Sequence, residues 1–334
     1  YSPYVIAEMS ANHNGNIENA YKIIDFSKKS GADAIKIQTY HPDKITLNIR
    51  SSQFIIEGGI WGGQTLHDLY KKAYMPWEWH ELLFKYAKKI GITLFSSPFD
   101  NTAVDLLEDL NTPAYKIASF EAIDLPLIKY VAQTKKPMII STGMANASEI
   151  QESIETALDN GCKDLAILHC VSGYPAPASD YNLKTLLDMQ KKFGLVTGLS
   201  DHTISNATAI TSVSLGSSII EKHVTLDRNG GGPDDSFSLE AKELKELCTG
   251  VKTAWESLGK VDYGKKSSEQ SNIKFRRSLY FVKDIKAGEK ITYENVKSIR
   301  PGYGLSPKFL DKIIYKRTKV DVKRGQPVKL DLIK

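Results

Sequence analysis

The sequence predicts a (β/α)8 barrel followed by a small β-rich domain. Eight short apolar, β-branched runs alternate with eight segments whose apolar residues recur at helical spacing. The runs are almost continuously apolar, as parallel strands covered on both faces are, and eight such units in about 255 residues match the size of this fold. A doubly wound open sheet is the alternative, but it usually has fewer strands, and no Gly-x-Gly-x-x-Gly follows the first run.

The predicted strands and helices alternate regularly along the chain. The strands are Val5–Ser10, Ala34–Tyr40, Ile92–Ser97, Ala114–Ser119, Pro137–Thr142, Leu165–Cys170, Leu195–Ser200 and Ser217–Val224. The helices lie near residues 17–30, 77–90, 101–110, 124–135, 148–160, 182–192, 205–214 and 240–258. Gly31, Gly91 and Gly161 follow three of these helices, at the position where a left-handed glycine commonly ends a helix.

Three segments depart from this alternation. Residues 41–76 form a long connection after the second strand, and connections of this length usually serve as lids or binding loops. Residues 259–272 are polar and are predicted to be a linker. Beyond them, the pattern of Asp284–Ile291 is repeated weakly at Asp321–Val328, with short β runs and glycine turns. We therefore predict a barrel in residues 1–258 and a compact β-rich domain in residues 273–334.

The composition excludes several classes of protein. The chain has 334 residues, of which 41% are hydrophobic and 25% charged, as in an ordinary soluble globular protein. No apolar run approaches the roughly 20 residues of a membrane span, and no secretory signal is visible. Cys162, Cys170 and Cys248 are widely spaced, which suits a reducing cytoplasm and excludes a disulfide scaffold or a cysteine-based zinc site.

The charge of the chain is distributed unevenly. Residues 273–334 contain 17 Lys and Arg against 6 Asp and Glu, whereas residues 1–272 contain 27 against 33. A basic domain could bind nucleic acid, dock on an acidic partner or cover an anionic substrate. Its lysines are scattered and no cluster of aromatic residues accompanies them, so we expect no nucleic-acid partner.

The active site of such a barrel lies at the carboxyl ends of its strands. Six titratable residues fall on predicted strands or at their ends: Glu8, Lys36, Lys116, His202, Glu221 and His223. Any one of them could be a satisfied core group. Buried charges are costly unless they are paired, bound to metal or solvated in a cavity, so six at one rim predict a shared site.

The residue types at this rim leave several chemistries open. Two lysines together with hydroxyl side chains indicate a site for phosphate or carboxylate. A lysine that forms a Schiff base with a carbonyl substrate is the competing interpretation. His202 and His223 could ligate a divalent metal, with Glu8 and Asp234 as candidate oxygen ligands or bases, although a histidine at a strand end is often a hydrogen-bonded structural group.

Several motifs, in this order, resemble the sialic acid synthase family. They are Ala-Glu8-Met-Ser-Ala-Asn-His-Asn-Gly, Ala-Ile-Lys36-Ile-Gln-Thr, Tyr-Lys116-Ile-Ala-Ser119, Ser141-Thr-Gly-Met, Gly-Leu-Ser200-Asp-His202-Thr, Glu-Lys-His223 and Gly-Pro-Asp234. The C-terminal residues, with Ile-Arg300-Pro-Gly-Tyr-Gly, look like the antifreeze-like (SAF) domain of that family. Residues 54–79 are similar to one subgroup, the pseudaminic acid synthases.

The resemblance implies that phosphoenolpyruvate (PEP) condenses with an open-chain amino-sugar aldehyde to give a nine-carbon 2-keto acid and phosphate. It implies that PEP is bound by Lys36, Lys116, Ser119, Ser141 and Ser200. It also implies that Glu8 is the acid/base and that the sugar is oriented by Tyr174, Asp234 and Arg300. The metal would be bound by His202 and His223. The metal would be Mn²⁺, with Mg²⁺ or Co²⁺ as alternatives.

The resemblance also implies a domain-swapped homodimer in which Arg300 of one chain reaches the sugar site of the other. A cytoplasmic location and no membrane partner are expected.

The resemblance to the pseudaminic acid synthases implies 2,4-diacetamido-2,4,6-trideoxy-L-altrose as the acceptor sugar. Ser172 stands where the N-acetylneuraminate synthases have Asn, and the segment around Trp61 also differs from theirs. Both differences lie where the protein is expected to recognise the sugar. An N-acetylneuraminate or legionaminate synthase with the same mechanism is the alternative, and a Schiff-base barrel aldolase is a more distant one.

Overall fold

The computed structural model describes residues 2–334, which form two units. The first unit ends at Gly259, and the second comprises Lys260–Lys334. In the first unit, eight parallel strands pair in sequence order, and β8 pairs with β1 to close a barrel. The predicted (β/α)8 barrel is therefore confirmed.

Each strand of the barrel is followed by a helix, as the sequence predicts. The strands are β1 (Tyr4–Glu8), β2 (Ala34–Thr39), β3 (Thr93–Pro98), β4 (Tyr115–Ile117), β5 (Met138–Ser141), β6 (Leu165–Cys170), β7 (Val196–Asp201) and β8 (Ile219–His223). The helices are α1 (Ile17–Ser30), α2 (Pro42–Ile45), α3 (Leu66–Ala73), α4 (Trp77–Ile90), α5 (Asn101–Asp109), α6 (Leu125–Ala132), α7 (Ala147–Asp159), α8 (Thr185–Phe193), α9 (Ala207–Ser214) and α10 (Ala241–Leu258). Helices α2 and α3 lie in the long connection after β2.

The first helix shows how the local sequence sets these boundaries. The side chain of Asn16 accepts a hydrogen bond of 2.9 Å from the N–H of Glu18 and so caps the first turn. Gly31 ends the helix in the left-handed region, with φ of 94°. Between these caps, Ile23 and Ile24 are fully buried in the apolar cluster between barrel and helices. Burial of each such side chain stabilises the fold by about 1.5–3 kcal/mol.

Strand alternation separates the apolar core from the interior of the barrel. In β2, Ile35 and Ile37 point outward and pack in the cluster that α1 and α4 also join. Lys36 lies between these two isoleucines and Gln38 follows them, and both side chains point inward and line a cavity. One layer below those inward polar residues, a small apolar cluster fills the barrel: Ile6, Ala34 and Phe95. The polar interior is therefore confined to the carboxyl end of the barrel.

The second unit has its own apolar core. Two antiparallel strands, β9 (Ser278–Phe281) and β10 (Val296–Ile299), pair with each other, and a short helix, α11 (Leu310–Ile313), follows. Their buried side chains form one cluster with residues of the flanking turns, including Leu279, Phe281, Ile291, Val296, Ile313 and Val328. Residues 259–272, predicted as a linker, are all exposed.

The weak sequence repeat corresponds to two turns of the second unit that pair with each other. Ile285 and Val322, at equivalent positions of the repeat, form a β-bridge and are both buried. Lys323 lies 2.8 Å from Asp284, and the equivalent Lys286 lies 2.9 Å from Asp321. Because these ion pairs are exposed, they contribute little free energy, and the buried apolar pair holds the turns together.

Candidate active site

A cavity of about 500 Å³ opens at the carboxyl ends of the barrel strands. Of the side chains predicted for the site, nine line it: Lys36, Lys116, Ser119, Ser141, Tyr174, Ser200, His202, His223 and Asp234. Glu8 lies beside them, 1% exposed, and contacts Lys36. Arg300 belongs to the second unit. The structure thus brings all the predicted barrel residues together in one place.

The register of the strands explains why these residues meet. Glu8 of β1 lies in register with Lys36 of β2 on one side and with His223 of β8 on the other. Ser200 of β7 lies in register with Glu221 of β8. Because alternate residues of a strand share a face, the inward positions of these four strands converge on one point.

Two lysines and two glutamates form a buried network of charges in the cavity. The Nζ atom of Lys36 lies 2.6 Å from Oε2 of Glu8 and 3.6 Å from Oε1 of Glu221. The Nζ atom of Lys116 lies 3.2 Å from the same oxygen of Glu221. Opposite charges offset the cost of burying one another. The network also places two cations where an anion entering the cavity can bind them.

This environment shifts the pKa of each member of the network. Burial raises the pKa of Glu8 to about 7, although the charge of Lys36 opposes the shift. Burial alone would also raise the pKa of Glu221, but Lys116 and Lys36 hold it below its ordinary value. The two carboxyl groups therefore differ: Glu221 stays ionised, whereas Glu8 can gain or lose a proton near neutral pH.

Ser119 and Ser141 line the cavity, and Ser172 adjoins Ser119 at Gly143, so these three residues are called the serine cluster. Among the described residues, the Oγ atoms of Ser141 and Ser172 are buried without a hydrogen-bond partner. The N–H of Gly143 donates to Oγ of Ser119 at 3.2 Å. A Cβ atom at Gly143 would overlap Oγ of Ser172 and lie 2.8 Å from Oγ of Ser119, so glycine is required for this arrangement. Unpaired buried hydroxyls are ready donors to the oxygens of an anion.

Ser172 is predicted to lie where the sugar is read. In the structure it lies against Gly143 and beside Ser119, within the serine cluster. Its hydroxyl therefore neighbours that of Ser119, one of the serines predicted to bind PEP.

The two histidines lie next to each other in the cavity. Their ring centroids are 5.3 Å apart. Nδ1 of His202 lies 2.8 Å from the carbonyl oxygen of Val171, which can only accept, so Nδ1 carries a proton and Nε2 is the nitrogen that the neutral ring offers to a metal ion. Nδ1 of His223 is buried and has no partner within residues 2–334. Both rings therefore offer an imidazole nitrogen to a divalent cation.

The two histidines would need further ligands from outside the protein. Within residues 2–334, no group of three or more His, Cys, Asp or Glu side chains is arranged to hold a metal ion. The side chain of Asp234, also in the cavity, accepts a hydrogen bond of 2.5 Å from Ser10. Water and substrate oxygens are the natural source of the remaining ligands, as in catalytic metal sites that keep open positions.

The long connection after β2 supplies an apolar wall of the cavity. The cavity-lining side chains that the connection contributes are mostly aromatic or aliphatic: Tyr40, Ile45, Ile56, Trp61, Leu66, Leu69 and Tyr70. Phe99 and Phe120, which follow β3 and β4, also line the cavity. Nε1 of Trp61 donates to the carbonyl oxygen of Pro233 at 2.7 Å, which ties the connection to the loop after β8. The Trp61 ring lies 5.4 Å from that of Tyr174. The predicted binding loop therefore shapes the site directly.

Glu121 is a candidate functional residue that the sequence analysis missed. It lines the cavity, and its Oε2 atom is buried without a partner in the part of the chain that the structure describes. Burial raises the pKa of Glu121 to about 7, and Lys116 is among the groups that oppose the shift. The sequence signal was its position directly after β4, two residues beyond Ser119.

Comparison with known proteins agrees with this geometry. The sequence model of the NeuB family matches residues 23–263, and that of the SAF domain matches residues 276–334. A pseudaminic acid synthase of Campylobacter jejuni is 44% identical over 98% of this chain and 95% of its own. A pseudaminic acid synthase of Helicobacter pylori is 41% identical over 98% of this chain and 97% of its own.

A solved structure is also similar to this chain in fold and in sequence. The N-acetylneuraminic acid (sialic acid) synthetase of Leptospira borgpetersenii, crystallised with citrate, is 30% identical and superposes with a TM-score of 0.72. The match covers 83% of this chain and 92% of that one. The predicted SAF domain and the resemblance to the sialic acid synthases are confirmed. The barrel, the cavity at its carboxyl end and these relatives together show that the chain belongs to the NeuB family.

Proposed function

We propose that this enzyme condenses PEP with 2,4-diacetamido-2,4,6-trideoxy-L-altrose and water, and releases pseudaminic acid and phosphate. The observation that carries the proposal is one cavity that combines two buried lysines and a cluster of hydroxyls with a protonatable carboxyl group. The similarity to pseudaminic acid synthases at 41–44% identity supports the choice of sugar.

The reaction forms one carbon–carbon bond and breaks one carbon–oxygen bond. C3 of PEP attacks the aldehyde carbon, and the aldehyde oxygen takes up a proton. Water adds to C2 and loses a proton, which gives a tetrahedral phosphate ester. The bond between C2 and the bridging oxygen then breaks, so that phosphate leaves and C2 becomes the keto carbon.

Binding of PEP is assigned to the lysines and the serine hydroxyls. Lys36 and Lys116 would supply point charges for the phosphate and carboxylate, and Ser119, Ser141 and Ser200 would donate hydrogen bonds. Glu221 holds both lysines in place, because its Oε1 atom lies within 3.6 Å of each Nζ. The anion thus meets cations that are already oriented.

Proton transfer is assigned to Glu8. Its pKa of about 7, raised by burial, allows it to protonate the aldehyde oxygen and to accept a proton from the attacking water. A Schiff-base aldolase is less well supported at Lys36, because Glu221 and Glu8 raise the pKa of its ammonium group against the effect of burial and so disfavour the neutral amine that such chemistry needs.

His202 and His223 are assigned to a divalent cation, with Mn²⁺ as the first choice and Mg²⁺ or Co²⁺ as alternatives. Such a cation polarises a carbonyl oxygen as a Lewis acid. Tyr174 and Asp234, beside the histidines, would orient the sugar. The apolar wall from the connection after β2 suits the methyl groups of two acetamido substituents and of the 6-deoxy carbon.

We further propose a cytoplasmic, domain-swapped homodimer with domains at residues 1–258 and 273–334 and a linker at 259–272. Three apolar side chains near the cavity rim are exposed by more than half, which favours coverage by a second chain: Phe120, Ile123 and Met144. The opposite net charges of the two domains favour such docking. Arg300 of the partner would then contact the sugar.

The test is phosphate release from PEP with Mn²⁺ and three acceptors in parallel: the diacetamido-trideoxy-altrose, N-acetylmannosamine and the legionaminic acid precursor. Turnover with the altrose derivative alone is expected. Turnover with N-acetylmannosamine or the legionaminic acid precursor instead would keep the mechanism and refute the choice of sugar. No release with any of the three would refute the proposed reaction.

A further inference from the structure

A buried ion pair lies on the outward face of β7 and β8, directly behind the two histidines. Asp201 and Lys222 are in register on these strands, and Nζ of Lys222 lies 2.7 Å from Oδ2 of Asp201. Each immediately precedes one of the histidines, His202 and His223. Because successive strand residues point to opposite faces, the ion pair and the histidines occupy the two sides of the same pair of strand ends.

Lys222 also fixes the turn that follows His202. Its Nζ atom donates to the carbonyl oxygens of Thr203 and Ser205 at 2.5 and 3.0 Å. Oδ1 of Asp201 accepts from the N–H of Thr203 at 2.9 Å. The side chains of Lys222 and Asp201 are 1% and 0% exposed, so water does not compete for these bonds. The backbone on both sides of His202 is therefore tied to β8.

The position of the ion pair at the ends of β7 and β8 links it to the distance between the two histidines. The register between β7 and β8 runs through Ser200 and Glu221 and ends at Asp201 and Lys222. The histidine positions come directly after this last pair. The distance between the two imidazole rings therefore depends on how firmly the strand ends are held together at that point.

Stability alone is a weak reason for such a pair. Replacement of a buried ion pair by apolar residues of similar volume is often neutral or stabilising, because the desolvation cost is avoided. A lysine that is removed from water and has four polar contacts is better explained by the geometry that it imposes.

We propose that Asp201 and Lys222 are positioning residues that hold His202 and His223 at the separation and orientation required for both to ligate one divalent cation. This inference rests on the metal site proposed above. The ion pair acts through the backbone and contacts neither the substrates nor the cation. Loss of the pair should therefore weaken metal binding more than PEP binding.

The test measures Mn²⁺ binding to the protein without substrates, from the electron paramagnetic resonance signal of free aqueous Mn²⁺. Lys222→Met should raise the Kd for Mn²⁺ about 10–100-fold, the range seen when groups behind metal ligands are removed. The Kd for PEP, measured by calorimetry without metal, should change by less than about twofold. The variant with both His202→Ala and His223→Ala should abolish Mn²⁺ binding and so assign the measured site.

Two further variants keep the inference falsifiable. The double variant Asp201→Asn, Lys222→Met leaves no unpaired buried charge, so it decides the question if the single variant does not fold. Thr39→Val is the matched control, because Thr39 is also buried and outward-facing at a strand end, with Oγ1 2.9 Å from Nε2 of His80. The control should lower the melting temperature and leave the Kd for Mn²⁺ unchanged.

Three outcomes would overturn the inference. Unchanged Mn²⁺ affinity in the folded double variant would show that the ion pair does not position the histidines. Equal losses of Mn²⁺ and PEP affinity would show a general disturbance of the barrel rim. Wild-type protein that binds no Mn²⁺ would refute the proposed metal site itself, and the positioning role with it.

Discussion

The Oε2 atom of Glu8 lies 2.6 Å from Nζ of Lys36, on the neighbouring strand and in register with it. The contact joins the group that we assign to proton transfer with one that we assign to PEP binding. Burial nevertheless raises the pKa of Glu8 to about 7. The carboxyl group can therefore exchange a proton while its neighbour keeps its charge.

Replacement of Glu8 by Gln should abolish most of the turnover and leave PEP binding intact. Loss of a general acid/base typically costs 10²–10⁴-fold in rate, whereas Lys36 and Lys116 keep their contacts with Glu221. Steady-state phosphate release gives kcat, and calorimetry gives the Kd for PEP. A variant with kcat within about tenfold of the wild type would show that Glu8 is not the acid/base.

The glycine of the serine cluster should be essential for PEP binding. In Gly143→Ala, the added methyl group overlaps Oγ of Ser172 and pushes against Ser119, so KM for PEP should rise about tenfold or more. The variant Gly143→Ala, Ser172→Ala removes the overlapping oxygen and should recover part of the affinity. Failure of the second substitution to recover any affinity would contradict the steric explanation.

Glu121 should make the stability of the barrel depend on pH. Burial raises the pKa of Glu121 to about 7 from 4.5, so the folded protein binds this proton more tightly, and stability is lost as pH rises from about 4.5 to 7. The variant Glu121→Gln has no carboxyl group at this position, so it does not lose this stability as pH rises. The difference in the free energy of unfolding, variant minus wild type, should therefore be about 2 kcal/mol larger at pH 8 than at pH 5, which means that the variant gains stability relative to the wild type as pH rises.

Denaturant unfolding of the substrate-free proteins at the two pH values measures this difference. The pKa of Glu8 is also raised, but that group is present in both proteins, and its contribution cancels. A difference between variant and wild type that does not change with pH, or that changes in the opposite direction, would mean that Glu121 is not a buried carboxyl group of raised pKa.

Trp61 should control the affinity for the sugar and not that for PEP. Its indole N–H bonds to Pro233, and its ring lies beside Tyr174 on the apolar wall. Trp61→Ala should raise KM for the sugar about tenfold, and Trp61→Phe, which keeps an aromatic ring, should raise it less. Equal increases in KM for PEP and for the sugar would place Trp61 outside the sugar site.

The periodicity of the sequence was sufficient to predict the barrel and the convergence of polar side chains at the carboxyl ends of its strands. Residues two apart on one strand share a face, so Glu221 with His223, and Lys36 with Gln38, could be placed in the interior from sequence alone. The parallel strands then bring these faces together at one end. Neither step requires knowledge of a ligand.

Residues outside the regular elements could not be predicted in this way. Glu121 lies on a short 3-10 turn, Ser119–Glu121, where no repeating pattern indicates which side chain faces the cavity. Helices α2 and α3 have 4 and 8 residues, too few for a clear period. The contact of Ser172 with Gly143 joins two loops, and only the closed barrel brings those loops together.

The most direct test of the account uses PEP labelled with ¹⁸O at the oxygen that bridges carbon and phosphorus. The reaction is run with Mn²⁺ and the acceptor sugar, and the released phosphate is examined by mass spectrometry. Addition of water to C2 followed by cleavage of the carbon–oxygen bond predicts that the phosphate carries the label. Unlabelled phosphate, with the label in the keto acid, would show cleavage at phosphorus and contradict the mechanism assigned to this cavity.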